Sequence, residues 1–336
     1  MPEIRQNMAT KDWVIIATER ARRPEDFVQK EQQRRDLPAY SPTCPFCAGN
    51  ENQTPSEVFR IPAPGGGWRV RVAPNKFAAL VPGNFDALPV CDGLKHTIPG
   101  MGVHEVIVEA PAHNVTIPFL PDDHVRDLFL AYRTRYRDIE DSTRLEQVVI
   151  FKNHGATAGT SLEHPHSQLI ATPIVPPNIR HRIEEAMRYY DEHRECAYCR
   201  MLREELADGA RILQVTPHHA AFIPYAAMSP FHIWILPRRH MAAFRDISDE
   251  ETADLAGLVK AVLGKLHTGL DDPDFNLAVR SAPGESKNVR YFHWYMSIVP
   301  RVTKMAGFEI GSGMFINTAL PEKSAEFLRA QKSPAG

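Results

Sequence analysis

The chain has 336 residues, of which 43% are apolar and 24% charged, and a formal net charge of −2. That length exceeds the usual single domain and predicts two domains or two halves of one large fold. The near-neutral balance lacks the basic surplus needed to grip a nucleic-acid backbone, so no nucleic-acid partner is expected. The N-terminus MPEIRQNMATKDW is charged from its third residue and has no signal-peptide core, and runs such as FHIWILP are too short to span a bilayer. We therefore expect a cytoplasmic protein without a membrane partner.

Along the chain, the first chemical signal is CPFC, with Cys44 and Cys47. In a reducing compartment such a pair reads as a metal or redox site rather than a disulfide. Cys91 stands alone and is expected to be a small buried residue. The run VIVEA predicts a strand that leads through a proline to His113. PDDHVRDLFLAYRTRYRDIE then predicts an amphipathic helix with Val125, Leu128, Phe129, Tyr132 and Tyr136 on one face. A strand at QVVIFKN, the small-residue loop NHGATAGTS (153–161) and the histidine strand HPHSQLIA close this half.

The proline-rich TPIVPPN (172–178) reads as a join, and RHRIEEAMRYYDEHRE as a connecting helix. The pattern then repeats. Cys196 and Cys199 precede the strand IWIL, which leads through Pro237 to His240. A helix over SDEETADLAGLVKAVLGKLHTGL follows, with Ser248 as N-cap and Glu251 three residues on. FNLAVRS and HWYMSIVP are the last two strands of the repeat. His113 to His164 spans 51 residues and His240 to His293 spans 53, and the alignment pairs His164 with His293, His166 with Tyr295 and Gln168 with Ser297.

These repeats predict an α+β fold made by internal duplication, each half an antiparallel sheet with packed helices, with halves at 1–175 and 176–336. Each half supplies Cys, Cys, His and His in the same order. Cys44, Cys47, His113 and His164 would hold one tetrahedral zinc, and Cys196, Cys199, His240 and His293 a second. Four protein ligands leave no open position, so both sites should be structural. The competing reading is a pair of redox or packing cysteines with core histidines.

With His164 on the metal, His166 remains as a free imidazole on the same side of its strand as Gln168, because strand side chains alternate. The loop before it is short of side chains, so its N–H groups are expected to approach a phosphate closely. A neutral imidazole is a competent nucleophile toward phosphorus, the Gln168 amide would hydrogen-bond phosphoryl oxygens, and Ser161 would bind a departing phosphate. Gln168 cannot shuttle a proton, which disfavours hydrolysis relative to transfer. Tyr295 at the matching place predicts that only the first half is catalytically armed.

The segments WVIIATERARRPEDF, SPTCPFCAGNE, RVAPNKFAAL, GVHEVIVEAPAHN, FKNHGATAGTSLEHPHSQ, SPFHIWILPRRH, HWYMSIVPR and GFEIGSGMFIN together resemble the histidine-triad superfamily. Within it they are similar to the galactose-1-phosphate uridylyltransferase branch, which includes ADP-glucose phosphorylase-like enzymes. The resemblance implies ping-pong nucleotidyl transfer, with His166 as nucleophile, Gln168 as phosphoryl-binding amide and Cys44, Cys47, His113 and His164 as zinc ligands. It further implies that Asn75, Phe77, Asn153 and Ser161 contact base, ribose or phosphates, that Arg20 and Arg23 lie near the phosphates, and that C-terminal residues complete the sugar site across a homodimer. There Lys304, Gly307 and Glu309 fit the branch, whereas Phe308 replaces its tyrosine and no hexose-binding glutamine follows at the expected spacing. HPHSQ and FEIGSGMFIN look closer to the phosphorylase-like members.

Three readings follow. The leading one is a UDP-glucose:hexose-1-phosphate (galactose-1-phosphate) uridylyltransferase, acting on nucleotide sugars and sugar phosphates. The alternative is an adenylyltransferase of the ADP-glucose phosphorylase kind that passes AMP to phosphate. The third, a zinc-stabilised nucleotide-binding protein without turnover, has no use for a nucleophile beside a phosphate cradle.

Overall fold

A computed structural model describes residues 1–18, 23–27, 37–83, 89–286 and 288–334. The first half carries β1 (Glu3–Gln6), β2 (Trp13–Ile16), β3 (Phe59–Pro62), β4 (Trp68–Pro74), β5 (Val90–Asp92), β6 (Lys95–Thr97), β7 (Val103–Val108), α1 (Asp122–Ser142), β8 (Gln147–His154) and β9 (His166–Thr172). After the connecting helix α2 (Pro177–His193) come α3 (Ala197–Asp208), β10 (Ile212–Val215), β11 (His219–Phe222), β12 (Ile233–Pro237), α4 (Asp249–Leu270), β13 (Phe275–Arg280) and β14 (Tyr295–Pro300). The chain ends with α5 (Gly307–Ser312), β15 (Phe315–Asn317) and α6 (Pro321–Ala330).

The duplication is visible in the sheet. Its ten strands run β10-β11-β12-β14-β13-β8-β9-β7-β4-β3, antiparallel throughout. Read outward from the central β8–β13 pair, each half repeats one order, with the fourth strand innermost, then the fifth, third, second and first. The register makes the equivalence specific to residues. Gln168 lies opposite Val106 and Phe151, and Ser297 opposite Trp234 and Ala278, which superposes Gln168 on Ser297 and His166 on Tyr295. Within the single sheet the two halves are thus hydrogen-bonded neighbours, with Phe275–Ala278 of β13 paired against Phe151–His154 of β8.

Alternation divides the sheet into two faces. On one, Val148, Ile150, Leu169, Ile107, Leu277, Ile235 and Met296 join the main core beneath α1, α4 and α6. The predicted α1 face is buried here: Val125, Leu128, Phe129, Tyr132 and Tyr136 are each at most 1% exposed. On the other face the second half is covered by α2 and α3, whose Ile179, Ile183, Tyr198 and Leu202 pack on Phe222, Trp234 and Tyr295. Cys91 departs from expectation. It is exposed on the β5–β6 hairpin, outside the main sheet, with its sulfur 3.2 Å from His96 Nδ1. Among the described residues no helix is long and apolar enough to cross a membrane.

The α4 start has the predicted reciprocal cap. Ser248 Oγ accepts from the Glu251 N–H at 3.1 Å, and Glu251 Oε2 accepts from the Ser248 N–H at 2.8 Å. Removing such a hydroxyl leaves a helix N–H unpaired, so Ser248→Ala should lower unfolding stability by about 1 kcal/mol. Urea denaturation measures this, and an unchanged midpoint would show the cap to be redundant.

Candidate functional site

The CPFC knuckle is built before any ion enters. Asn50 donates to the carbonyls of Cys44 (2.8 Å) and Ser41 (3.1 Å), and the Ser41 N–H donates to Cys47 Sγ at 3.3 Å. Arg71 of β4, 1% exposed, reaches Pro45 O and Thr54 Oγ1, tying the knuckle to the sheet edge. His113 and His164 then bring Nδ1 within 3.4 to 3.7 Å of the thiols. The four ligand atoms lie within 4.8 Å of one another, and all four residues are buried. His164 donates its Nε2–H to Ala110 O at 2.8 Å, which leaves the Nδ1 lone pair facing the thiols. Burial pushes His164 down to about 4, keeping it in the neutral, ligating form. This donor set fits a tetrahedral metal.

In the second half Cys196, Cys199 and His240 form a corresponding group. His240 Nδ1 is 3.2 Å from Cys199 Sγ, and its Nε2 donates to Val289 O at 3.2 Å. The expected fourth ligand, His293, is adjacent but not turned in. Its ring meets His240 edge-on at 5.4 Å, much as His113 meets His164 at 5.2 Å. However, its Nδ1 bonds to Trp294 O at 2.8 Å, and its buried Nε2 has no partner. A four-ligand site here requires the ring to exchange that carbonyl for the metal.

His166 opens β9 directly after the first cluster and is 7% exposed. Its Nδ1–H donates to His164 O at 2.8 Å, so the Nε2 lone pair is the free one. Burial, with the Lys152 ammonium nearby, holds the imidazole below its usual pKa. Phe46, from the middle of CPFC, packs on the ring with centroids 5.2 Å apart. Behind the strand, Lys152 Nζ donates to both Glu109 oxygens (2.9 and 2.8 Å), and Ser167 Oγ donates to Glu109 Oε1 at 2.5 Å. The Lys152 ammonium also lies 3.4 Å from His166 O.

Gln168 has a partner that the sequence reading missed. The Ala79 N–H donates to His104 Nδ1 at 3.0 Å, so the ring proton is on Nε2, and Nε2–H donates to Gln168 Oε1 at 2.8 Å. This fixes the amide with its NH₂ group free to donate. Asn75 joins them, its Nδ2 lying 3.0 Å from the same His104 nitrogen and its Oδ1 accepting from the Phe77 N–H at 2.9 Å. Phe77 itself is 86% exposed. Asn153 Oδ1 accepts from Asn276 of β13 at 2.9 Å. The signal for His104 was its place on β7, four residues before Val108 opposite His166.

The loop before β9 differs from the open cradle expected. The N–H groups of Ala158, Gly159 and Thr160 bond within the loop, and Thr157 donates its N–H to Asp274 Oδ2 at 2.7 Å. Gly155, at φ +83°, packs so tightly that a Cβ would come within 1.7 Å of Asp274 Oδ1. Four of the loop's donors therefore hold its shape instead of awaiting a phosphate. Ser161 is exposed at the end of the loop. Arg23 is exposed, with its N–H on Asp26, while Arg20 lies outside the described residues. Lys304, Phe308 and Glu309 are on the C-terminal segment, where Glu309 caps α5 by accepting from the Ala306 N–H at 2.9 Å and Phe308 is 46% exposed. Among the described residues no hydrogen bond ties these three to the histidine strand of the same chain.

Comparisons with known proteins identify the family. Residues 1–176 match the model of the galactose-1-phosphate uridyl transferase N-terminal domain, and residues 182–331 that of its C-terminal domain. An ADP-glucose phosphorylase from Arabidopsis thaliana is 34% identical over 98% of this chain and 92% of its own. The galactose-1-phosphate uridylyltransferase of Thermotoga maritima is 29% identical over 98% of both. Among solved structures, an Arabidopsis thaliana ADP-glucose phosphorylase with bound ADP-glucose superposes with a TM-score of 0.83 at 31% identity, covering 98% of each chain. A uridylyltransferase structure gives 0.73 at 26% identity, again covering 98% of each. With both family domains matched in order and a histidine-triad-like sheet in each half, the chain belongs to the galactose-1-phosphate uridylyltransferase family of nucleotidyltransferases.

Proposed function

We propose that the chain transfers a nucleotidyl group from a nucleotide sugar by a ping-pong reaction through nucleotidyl-His166. The observation that carries this is the tautomer of His166: with Nδ1–H on the His164 carbonyl, the lone pair left for attack is on Nε2. In the first step Nε2 bonds to the α-phosphorus as the phosphorus–oxygen bond to the sugar phosphate breaks, and that oxygen leaves with the bonding pair. In the second step an acceptor phosphate oxygen attacks phosphorus, and the phosphorus–nitrogen pair returns to Nε2. Gln168 donates from its NH₂ to the phosphoryl oxygens in both directions, and His104 positions it. Asn75, Phe77, Asn153, Ser161, Arg20 and Arg23 surround the nucleotide in this reading.

The favoured donor is an ADP-sugar with inorganic phosphate as acceptor. Support comes from the Arabidopsis ADP-glucose phosphorylase, nearer in identity and TM-score than the uridylyltransferases quoted, and from the missing hexose glutamine after Glu309. The second reading is transfer of UMP from UDP-glucose to a hexose 1-phosphate such as galactose 1-phosphate, supported by the family models and the Thermotoga relative. Zinc is the metal we assign to both Cys/His clusters, as a structural pin. All five cysteines are free, in keeping with a cytoplasmic, reducing setting. A homodimer, in which Lys304, Phe308 and Glu309 reach the second subunit's sugar site, accounts for the exposure of Met305 just before α5 and of Phe308 and Ile310 on it.

Intact-protein mass spectrometry after incubation with ADP-glucose or UDP-glucose alone, quenched in alkali, tests the mechanism. An adenylyl adduct on His166, absent from His166→Gly, is expected; a uridylyl adduct alone selects the second donor. No adduct with either sugar, or an unchanged adduct in His166→Gly, rejects the nucleophile. His104→Ala should slow adduct formation about tenfold, the weight of one oriented hydrogen bond, and His104→Gln should restore part of it. Wild-type single-turnover rates in His104→Ala would exclude the positioning role. Metal analysis should find about two zinc ions per chain. Cys47→Ser should lose about one of them and melt at lower temperature, and an undiminished metal content would remove the first cluster as a zinc site.

A further inference from the structure

The duplication leaves a second face to explain. Where the first half presents His166, Gln168, Asn153 and His104, the second half presents Tyr295, Ser297, Arg280 and His232. Arg280 lies opposite Tyr295, and His232 stands two residues before Trp234 as His104 stands two before Val106. A hydrogen bond stands at the same place with its direction reversed: Ser297 Oγ–H donates to His232 Nε2 at 2.8 Å, where His104 Nε2–H donates to Gln168 Oε1 at 2.8 Å. This face is not filled by side chains. A cavity of about 60 Å³ has Asn7, Asp12, Arg182, His232, Arg280 and Ser297 in its lining, with as many apolar side chains completing it. By the same measure one water needs about 10–15 Å³, so the space exceeds a single solvent molecule.

Two of the donors around it lack acceptors. Trp234 Nε1–H donates to His232 Nε2 at 3.0 Å, which places the ring proton on Nδ1, and Nδ1 is buried without a partner on a side chain 3% exposed. Arg280 Nε is likewise buried and unpartnered. Arg182, from α2, donates to the Tyr295 hydroxyl and lies 3.8 Å from Asp12, a carboxylate that is itself 38% exposed. Burial and the two arginines press His232 down to about 3, so the ring stays neutral with its one proton on Nδ1. A buried, unpaired guanidinium Nε–H and an orphan imidazole N–H beside one cavity are expensive unless an acceptor joins them.

We propose that this cavity is a second ligand site, which binds a phosphoryl dianion through Arg182, Arg280 and the His232 Nδ1–H, with Ser297 Oγ–H holding the His232 ring by donating to its Nε2. Its position superposes on the phosphate-facing positions of the first half. Tyr295 in place of a nucleophilic histidine makes it a binding site without transfer. The ligand class is inorganic phosphate or the phosphate of a sugar phosphate.

The test uses the intact, metal-loaded chain and two probes, inorganic phosphate and glucose 1-phosphate. Calorimetric titration of wild type and Arg280→Met should show one phosphate site fewer per chain in the variant, whatever number the wild type has. Formation of the His166 adduct should stay at the wild-type rate, so this outcome is separable from failure of the transfer mechanism. Phosphate at ten times the Kd of this site should raise the wild-type Tm by about 2–4 °C more than that of Arg280→Met. Without phosphate, Arg280→Met should melt no lower than wild type, because an unpaired buried Nε–H has been removed; a purely structural arginine predicts the opposite. Ser297→Asp, which builds the anion into the chain, should likewise remove one phosphate site with no loss of Tm. Tighter binding of glucose 1-phosphate than of phosphate identifies a sugar phosphate as the ligand, and the reverse identifies the free ion. Equal site numbers in wild type and Arg280→Met, or a phosphate-induced Tm rise undiminished by both substitutions, overturns the proposal.

Discussion

One peptide link carries the arrangement of the first half: His164, Pro165 and His166 at the entrance to β9. The His164 ring is held among Cys44, Cys47 and His113, its outer nitrogen is fixed on Ala110 O, and its own carbonyl takes the Nδ1–H of His166. The metal cluster thus dictates where that carbonyl points, and the carbonyl dictates which nitrogen of His166 is free. Phe46 adds a second restraint from the same knuckle by packing on the His166 ring. The candidate metal ligand His164 and the proposed nucleophile are two residues apart, and the first orients the second.

Beneath this link is a buried charge pair that the fold tolerates because it is fully bonded. Lys152 is 2% exposed and Glu109 is 0% exposed, on opposite sides of β9 from strand β8 and the end of β7. Desolvating such a pair is costly, and the geometry here offsets it with two ammonium contacts, the Ser167 hydroxyl and Tyr132, whose hydroxyl lies 2.5 Å from Ser167 Oγ. The network binds β7, β8, β9 and α1 behind His166. A strand so clamped cannot slip in register, and a slip of one residue would carry both His166 and Gln168 to the core face.

The two halves use one framework differently. In both, a Cys/His group lies at the start of the final strand, and a histidine two strand positions away bonds the residue equivalent to Gln168. In the first half His166 is 7% exposed, Gln168 is half-buried and Phe77 is 86% exposed. In the second half α2, α3 and the N-terminal segment close over the equivalent face, bringing Arg182 and Asp12 across the strands. This roofing leaves a small chamber of mixed polar and apolar lining on the same strand register.

Much was determined by the sequence alone. Spaced cysteines and histidines, the capping residues of α4, the apolar face of α1 and the repeated strand order are local patterns, and each was legible because a helix or strand period maps sequence distance onto one face. The HPHSQ strand likewise put an imidazole and an amide on one face, as the period of two requires. Tertiary structure alone decided the rest. His104 meets Gln168 across 64 residues, Asp274 occupies the loop near Thr157 across 117, and Lys152 reaches Glu109 across 43. No spacing rule connects such pairs, because strand register and helix packing bring them together. The same holds for His293, which the repeat named as a ligand but the local carbonyl of Trp294 turns aside, and for Cys91, whose burial depended on a hairpin that lies outside the main sheet.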